Sequence, residues 1–236
     1  MTAKEKKVIL FIVEGPSDES ALGTGMKEIF KDCEVRFYVV HGDIATKGNV
    51  TQNTVLKRVD DCIRDVMERY RYKTNDIEQI IQIVDMDGTF IQPEKVVEEP
   101  VPEVLYFSDH VETAHRERMI QRNESKGRIL FKLYKTSKVH GIPYRIYFMS
   151  CNLEHVLYGK LENLTDSQKW EYSDRFAERF EGKPEAFEQF MEAEEVAVQG
   201  SYQETWKFIE RDVHSLERYS NLCLAFVGCE VNEETD

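Results

Sequence analysis

Glycine and proline are scarce in this 236-residue chain, at 12 and 6, which excludes collagen-like and low-complexity organisation. Long apolar runs are missing too. Val8 to Val13 is the longest near the start, far below the ~20 residues of a membrane-spanning helix. It passes directly into Glu14-Gly15 with no small-residue cleavage site, so neither a span nor a signal peptide is expected. The five cysteines (Cys33, Cys62, Cys151, Cys223, Cys229) form no C-x-x-C pair. An odd count without zinc-like spacing fits reduced thiols in a cytoplasmic protein.

Positive charge is also in deficit, with 31 basic residues against 44 acidic and a net charge of −13. As an average this argues against a protein that coats nucleic acid, whose phosphates it would repel. The average conceals a split. Residues 112–140 hold eight Arg or Lys and three Glu, a net of +5, whereas residues 150–236 carry a net of −12. A polyanion can dock on the first region and is excluded from the second.

What is present is enough apolar material for a core, 41% of residues with 11% aromatic. Val8–Val13, Val35–Val40, Ile80–Val84 and Tyr144–Met149 read as strands, the first a continuous apolar run typical of burial on both faces of a parallel sheet. Between the first pair, Ser17 is placed to N-cap a helix from Asp18 onward, with Leu22, Met26, Ile29 and Phe30 as its apolar stripe. Val55, Val59, Cys62, Ile63, Val66, Met67 and Tyr70 mark a second amphipathic helix. Pro93 to Pro102 reads as an irregular connection. The basic stretch reads as helical, because Arg118, Arg122 and Lys126 recur at four-residue steps. Residues from about 153 to 218 read as several helices, the last with Tyr202, Trp206, Ile209, Val213 and Leu216 on one face.

Strands alternating with helices predict an α/β fold with a parallel sheet and right-handed crossovers. The expected organisation is a core over residues 1–155, with a basic helical insertion at about 93–140, and a helical extension over 156–236 packed on it.

Carboxylates follow three of the strands: Glu14, the Asp85/Asp87 pair, and Glu154. In open α/β sheets the ligand crevice lies beyond the carboxyl ends of the strands, so these residues should converge there. Asp85 and Asp87, two apart in an extended segment, should face the same side and reach a shared cation. Asp18, in the first helical turn, can approach the same crevice. Clustered carboxylates call for a neutralising cation. Hard oxygen donors without Cys or His favour Mg²⁺ or Mn²⁺ over Zn²⁺.

The string Ile12-Val13-Glu14-Gly15-Pro16-Ser17-Asp18, followed by Ile83-Val84-Asp85-Met86-Asp87-Gly88, resembles a Toprim domain, a family with Glu-Gly after its first strand and Asp-x-Asp after its third. The resemblance spans roughly residues 6–155. Ser150-Cys151-Asn152-Leu153-Glu154 is similar in part to a segment of the RloB-like and OLD-like Toprim proteins, with only the Ser, the Glu and some apolar positions matching. The resemblance implies a Toprim-like, Rossmann-like parallel sheet flanked by helices. It implies catalytic roles for Glu14, Asp85 and Asp87, and metal ligation by Glu14, Asp18, Asp85, Asp87 and Glu154.

The implied activity is metal-assisted hydrolysis of DNA or RNA phosphodiesters, with phage or mobile-element defence as the setting that family analogy alone implies. Arg118, Arg122, Lys126, Arg128, Lys132, Lys135 and Lys138 would hold the phosphate backbone. There is no Walker-type loop, so an ATPase like that of the OLD-type nucleases would act in trans; a homo-oligomer is a further implied arrangement. Two other readings stay open: a non-catalytic Toprim module that binds nucleic acid or protein, and a phosphatase. Asp85-Met86-Asp87-Gly88-Thr89 also resembles the D-x-D-G-T signature of haloacid-dehalogenase-type phosphatases, although that signature normally opens its fold.

Overall fold

The computed structural model describes residues 6–48 and 50–226; Cys229 lies outside them. Eight strands and seven helices follow in the order β1 (Val8–Val13), α1 (Pro16–Ile29), β2 (Glu34–Val39), α2 (Val55–Tyr70), β3 (Ile77–Asp85), β4 (Val96–Glu98), β5 (Leu105–Tyr106), β6 (Val111–Thr113), α3 (Arg116–Tyr134), β7 (Lys138–Val139), β8 (Ile142–Met149), α4 (Leu153–Tyr158), α5 (Asp166–Phe180), α6 (Pro184–Glu192) and α7 (Tyr202–Ile209). The main sheet has the order β2-β1-β3-β8-β7. Its first four strands are parallel, and the two-residue β7 pairs antiparallel with β8. It is therefore a mixed sheet flanked by helices, compatible with a Rossmann-like fold.

The continuous apolar run of β1 arises because both sheet faces are covered. Val8, Leu10 and Ile12 of β1 face one core with Ile80, Ile146 and Phe148, closed by α2, α3 and Trp206 and Ile209 of α7. Ile9, Phe11 and Val13 face the other with Ile81, Ile83 and Tyr147, closed by α1, α5 and α6. Edge strand β2 is only half-buried along most of its length.

Three local expectations need correction. Helix α1 starts two residues earlier than expected: Gly15 is its N-cap and Pro16 its first residue, a position where the missing N–H costs nothing. The Asp18 carboxylate, not Ser17, accepts from the Gly15 and Glu14 backbone N–H groups at 2.8 and 3.1 Å. The Pro93–Pro102 connection contains β4, part of a small sheet of order β4-β6-β5 with its own apolar cluster of Ile91, Val96, Val111, Met119, Cys151 and Leu216. Helix α7 ends at Ile209, and Leu216 belongs to that satellite cluster. Helix α3 lies in the connection between β3 and β8 and places Ile129, Leu130 and Leu133 in the main core. Among the described residues no helix is long and apolar enough to cross a membrane.

Candidate active site

The carboxyl ends of β1, β2, β3 and β8 open at one edge of the sheet, and three of the four are followed closely by a left-handed residue: His41 (φ 58°), Asp87 (φ 48°) and Cys151 (φ 56°). Such backbone is uncommon outside glycine and is retained where surrounding structure enforces it. Here the enforcement is visible. The Asp87 N–H donates to the Cys151 carbonyl at 2.7 Å, and the Gly88 and Cys151 N–H groups both donate to the Ser215 carbonyl. Gly88 itself has φ +66°, and a Cβ there would lie 2.8 Å from Leu216 Cδ2. The turn after β3 is thus built for glycine and clamped by two distant segments.

Glu14, Asp18, Asp85 and Glu154 come together around this edge. Glu14 reaches across from β1 to β3, where its Oε1 accepts from the Asp85 N–H at 3.3 Å. Burial, followed by the charges of Glu14, Asp18, Asp87 and Glu154, pushes the Asp85 carboxyl well above the carboxylate range. Burial and then Asp43 do the same to Glu14, against an opposing pull from Lys126. Burial raises Asp18 to about 6 despite its two backbone hydrogen bonds. Three half-buried carboxyls therefore hold protons more tightly than usual, the state expected of crowded acids short of counter-charge.

The rest of the acidic set is neutralised from within. Lys126 Nζ lies 2.7 Å from Asp87 Oδ2 and 2.9 Å from Asp43 Oδ2, with its side chain at 0% exposure. Burial works to lower its pKa, but Asp87, Asp43 and Glu14 reverse this and hold the ammonium charged. Burial would raise Asp43 as well, yet Lys126 and hydrogen bonds from Ala45 and Thr46 bring it below its ordinary value. Arg122 donates to the Asp87 carbonyl at 2.6 Å, and the Asn123 amide donates to the Gly88 carbonyl at 3.1 Å. On the far side, Lys169 Nζ of α5 lies 2.8 Å from Glu154 Oε1.

Asp85 and Asp87 consequently do not share one environment. The left-handed Asp87 leaves the extended path on which the two would face the same side, and its carboxylate goes to Lys126. Among the described residues, no group of three or more His, Cys, Asp or Glu is arranged as a metal site. The donors are the hard oxygens that Mg²⁺ or Mn²⁺ takes, but with Asp43, Asp87 and Glu154 held by ammoniums the five-carboxylate ligand set implied by the resemblance does not assemble, and a divalent ion would be left with Glu14 and Asp85.

The basic residues separate into four placements. Lys126 is buried within the crevice and presents nothing to a phosphate backbone. Arg118 is exposed and Arg122 half-buried, both at the acid-lined end of α3. Lys132, Lys135 and Lys138 are exposed at the opposite end, where the chain enters β7 and β8; Lys135 lies nine residues, about 13 Å, along the helix from Lys126. Arg128 is exposed between them, 4.0 Å from Glu124.

Asp43 and Lys169 were not singled out from the sequence. Asp43 had a signal, since it follows the second strand as Glu14 follows the first. Lys169 had none, because nothing local ties it to Glu154. Cys151 is fully buried and burial pushes its thiol far up, which suits packing rather than nucleophilic attack. His155 is driven down to about 4 by burial and then by Arg218, and remains a neutral ring in the core.

No protein-family model, curated protein or solved structure matches the chain.

Proposed function

We propose that this protein is a Toprim-type nuclease hydrolysing DNA or RNA phosphodiester bonds at the acidic crevice, with a requirement for Mg²⁺ or Mn²⁺. The observation that carries this reading is the meeting of Glu14 and Asp85, from the ends of adjacent parallel strands, where Glu14 Oε1 accepts from the Asp85 N–H and burial raises the pKa of both carboxyls. A carboxyl whose pKa is raised is suited to general acid–base work. Glu14 is the group for proton transfer at the scissile phosphate, and Asp85 shapes the charge around it. Arg118 and Arg122 supply cations for the phosphate backbone at the same end of α3.

The phosphatase alternative uses the second aspartate of D-x-D-G-T as a freely exchanging acid/base. Here Asp87 is taken up by Lys126 and Arg122, which disfavours it. That chemistry also gives Glu14 no part.

The test is incubation of the purified protein with supercoiled plasmid and with total tRNA, in Mg²⁺ or Mn²⁺, beside Glu14→Gln. Metal-dependent cleavage by the wild type and loss of at least about a hundredfold in the variant are expected. Undiminished cleavage by Glu14→Gln overturns the site. Polynucleotide binding without cleavage overturns catalysis in favour of a binding module.

A further inference from the structure

The Asp85-Met86-Asp87 step ends in two different surroundings, and Lys126 is the reason. Its ammonium is fully buried between Asp43 and Asp87. The helix carrying it is fixed on both sides of that contact. Arg122 and Asn123 hold the backbone of Asp87 and Gly88, and Ile129, Leu130 and Leu133 are locked in the main core. Lys126 thus has little freedom to withdraw as a surface lysine would. A buried ammonium held between two carboxylates supplies them with the counter-charge that a bound cation would otherwise give.

We propose that Lys126 is a built-in cation competing with any divalent ion for this crevice: Asp43 and Asp87 belong to Lys126, and a divalent ion is left with Glu14 and Asp85. The same arrangement keeps the crevice folded in the absence of metal. Asp87, the residue whose motif position most suggests a ligand, is on this reading the anchor of Lys126. The inference rests on the divalent-ion requirement proposed above. Its readout is metal binding, so an inactive but metal-binding protein would fail the nuclease reading and leave this one standing.

The experiment is Mn²⁺ titration of the full chain, following free Mn²⁺ by electron paramagnetic resonance, for the wild type, Lys126→Gln and Asp87→Asn. Lys126→Gln releases two carboxylates and is expected to bind Mn²⁺ at least about tenfold more tightly than the wild type. Equal or weaker binding overturns the proposal. Asp87→Asn carries the test if Lys126→Gln does not fold. A loss of Mn²⁺ affinity below about tenfold in that variant supports the assignment of Asp87 to Lys126; a larger loss makes Asp87 a ligand and overturns it.

Discussion

Lys126 and Asp87 form an ion pair of 2.7 Å in which the lysine is wholly buried and the aspartate has left-handed backbone. They lie 39 residues apart, so the pair ties the crossover helix to the turn after the central strand. Removing one partner from such a pair leaves an unpaired buried charge, whereas surface pairs such as Arg64–Asp60 are worth little. The electrostatics of the crevice accordingly depend on α3 as much as on the strand ends.

Asp18 gives the crevice a defined pH dependence. Its carboxyl protonates at about 6 when folded and near 4 when unfolded. Between those values the folded state holds the extra proton. The contribution of Asp18 to stability is therefore fully present below about pH 4 and is lost as the pH rises through about 6. Asp18→Asn keeps an oxygen for the Glu14 and Gly15 N–H groups and abolishes the titration. The variant should gain stability relative to the wild type between about pH 4.5 and 7.5, read by urea unfolding at each pH. An unchanged difference would remove the raised Asp18 pKa from the account.

The division of the basic residues predicts unequal effects on polynucleotide binding. Arg118→Ala should weaken it and reduce the dependence of log K on log salt by about 0.9, one phosphate contact. Lys135→Ala, at the other end of α3, should leave the salt slope unchanged. Fluorescence anisotropy with a labelled oligonucleotide across a salt series measures both. Equal effects would mean that the bound strand runs along the whole helix.

Trp206 tests whether the acidic C-terminal part belongs to the main core. It is 2% exposed, with Tyr134 at 5.1 Å and Phe148 at 5.4 Å between ring centroids. Trp206→Ala should cost about 3–5 kcal/mol, measured by urea unfolding followed by circular dichroism. A loss below about 1 kcal/mol would show that α7 contributes little to the main core.

Much of the fold was legible because its signals are local. β1 is buried on both faces, so the sequence spells it as an unbroken apolar run, β3 and β8 are mostly apolar over their buried C-terminal halves, and α2 is spelled by its 3.6-residue stripe. The half-buried β2 was still found from its aromatic and β-branched residues. The two- and three-residue strands of the small sheet were missed, since runs that short carry no periodicity and are held by pairing with one another.

The same division runs through the site. The sequence by itself determined that Glu14, Asp85 and Glu154 would meet, because residues after parallel strands emerge at one edge whatever their separation along the chain. Only the tertiary structure decided which carboxylates of the crevice are neutralised and by what. Lys126 read as one of a row of basic residues on a helix, and the rotation of α3 against the sheet turned it inward to Asp43 and Asp87 while Arg118 stayed in solvent. Helical spacing says which side chains share a face, but which face is buried depends on packing against residues distant in sequence. The partner of a charge is likewise set by long-range contact, through distance and desolvation, and these no local pattern encodes.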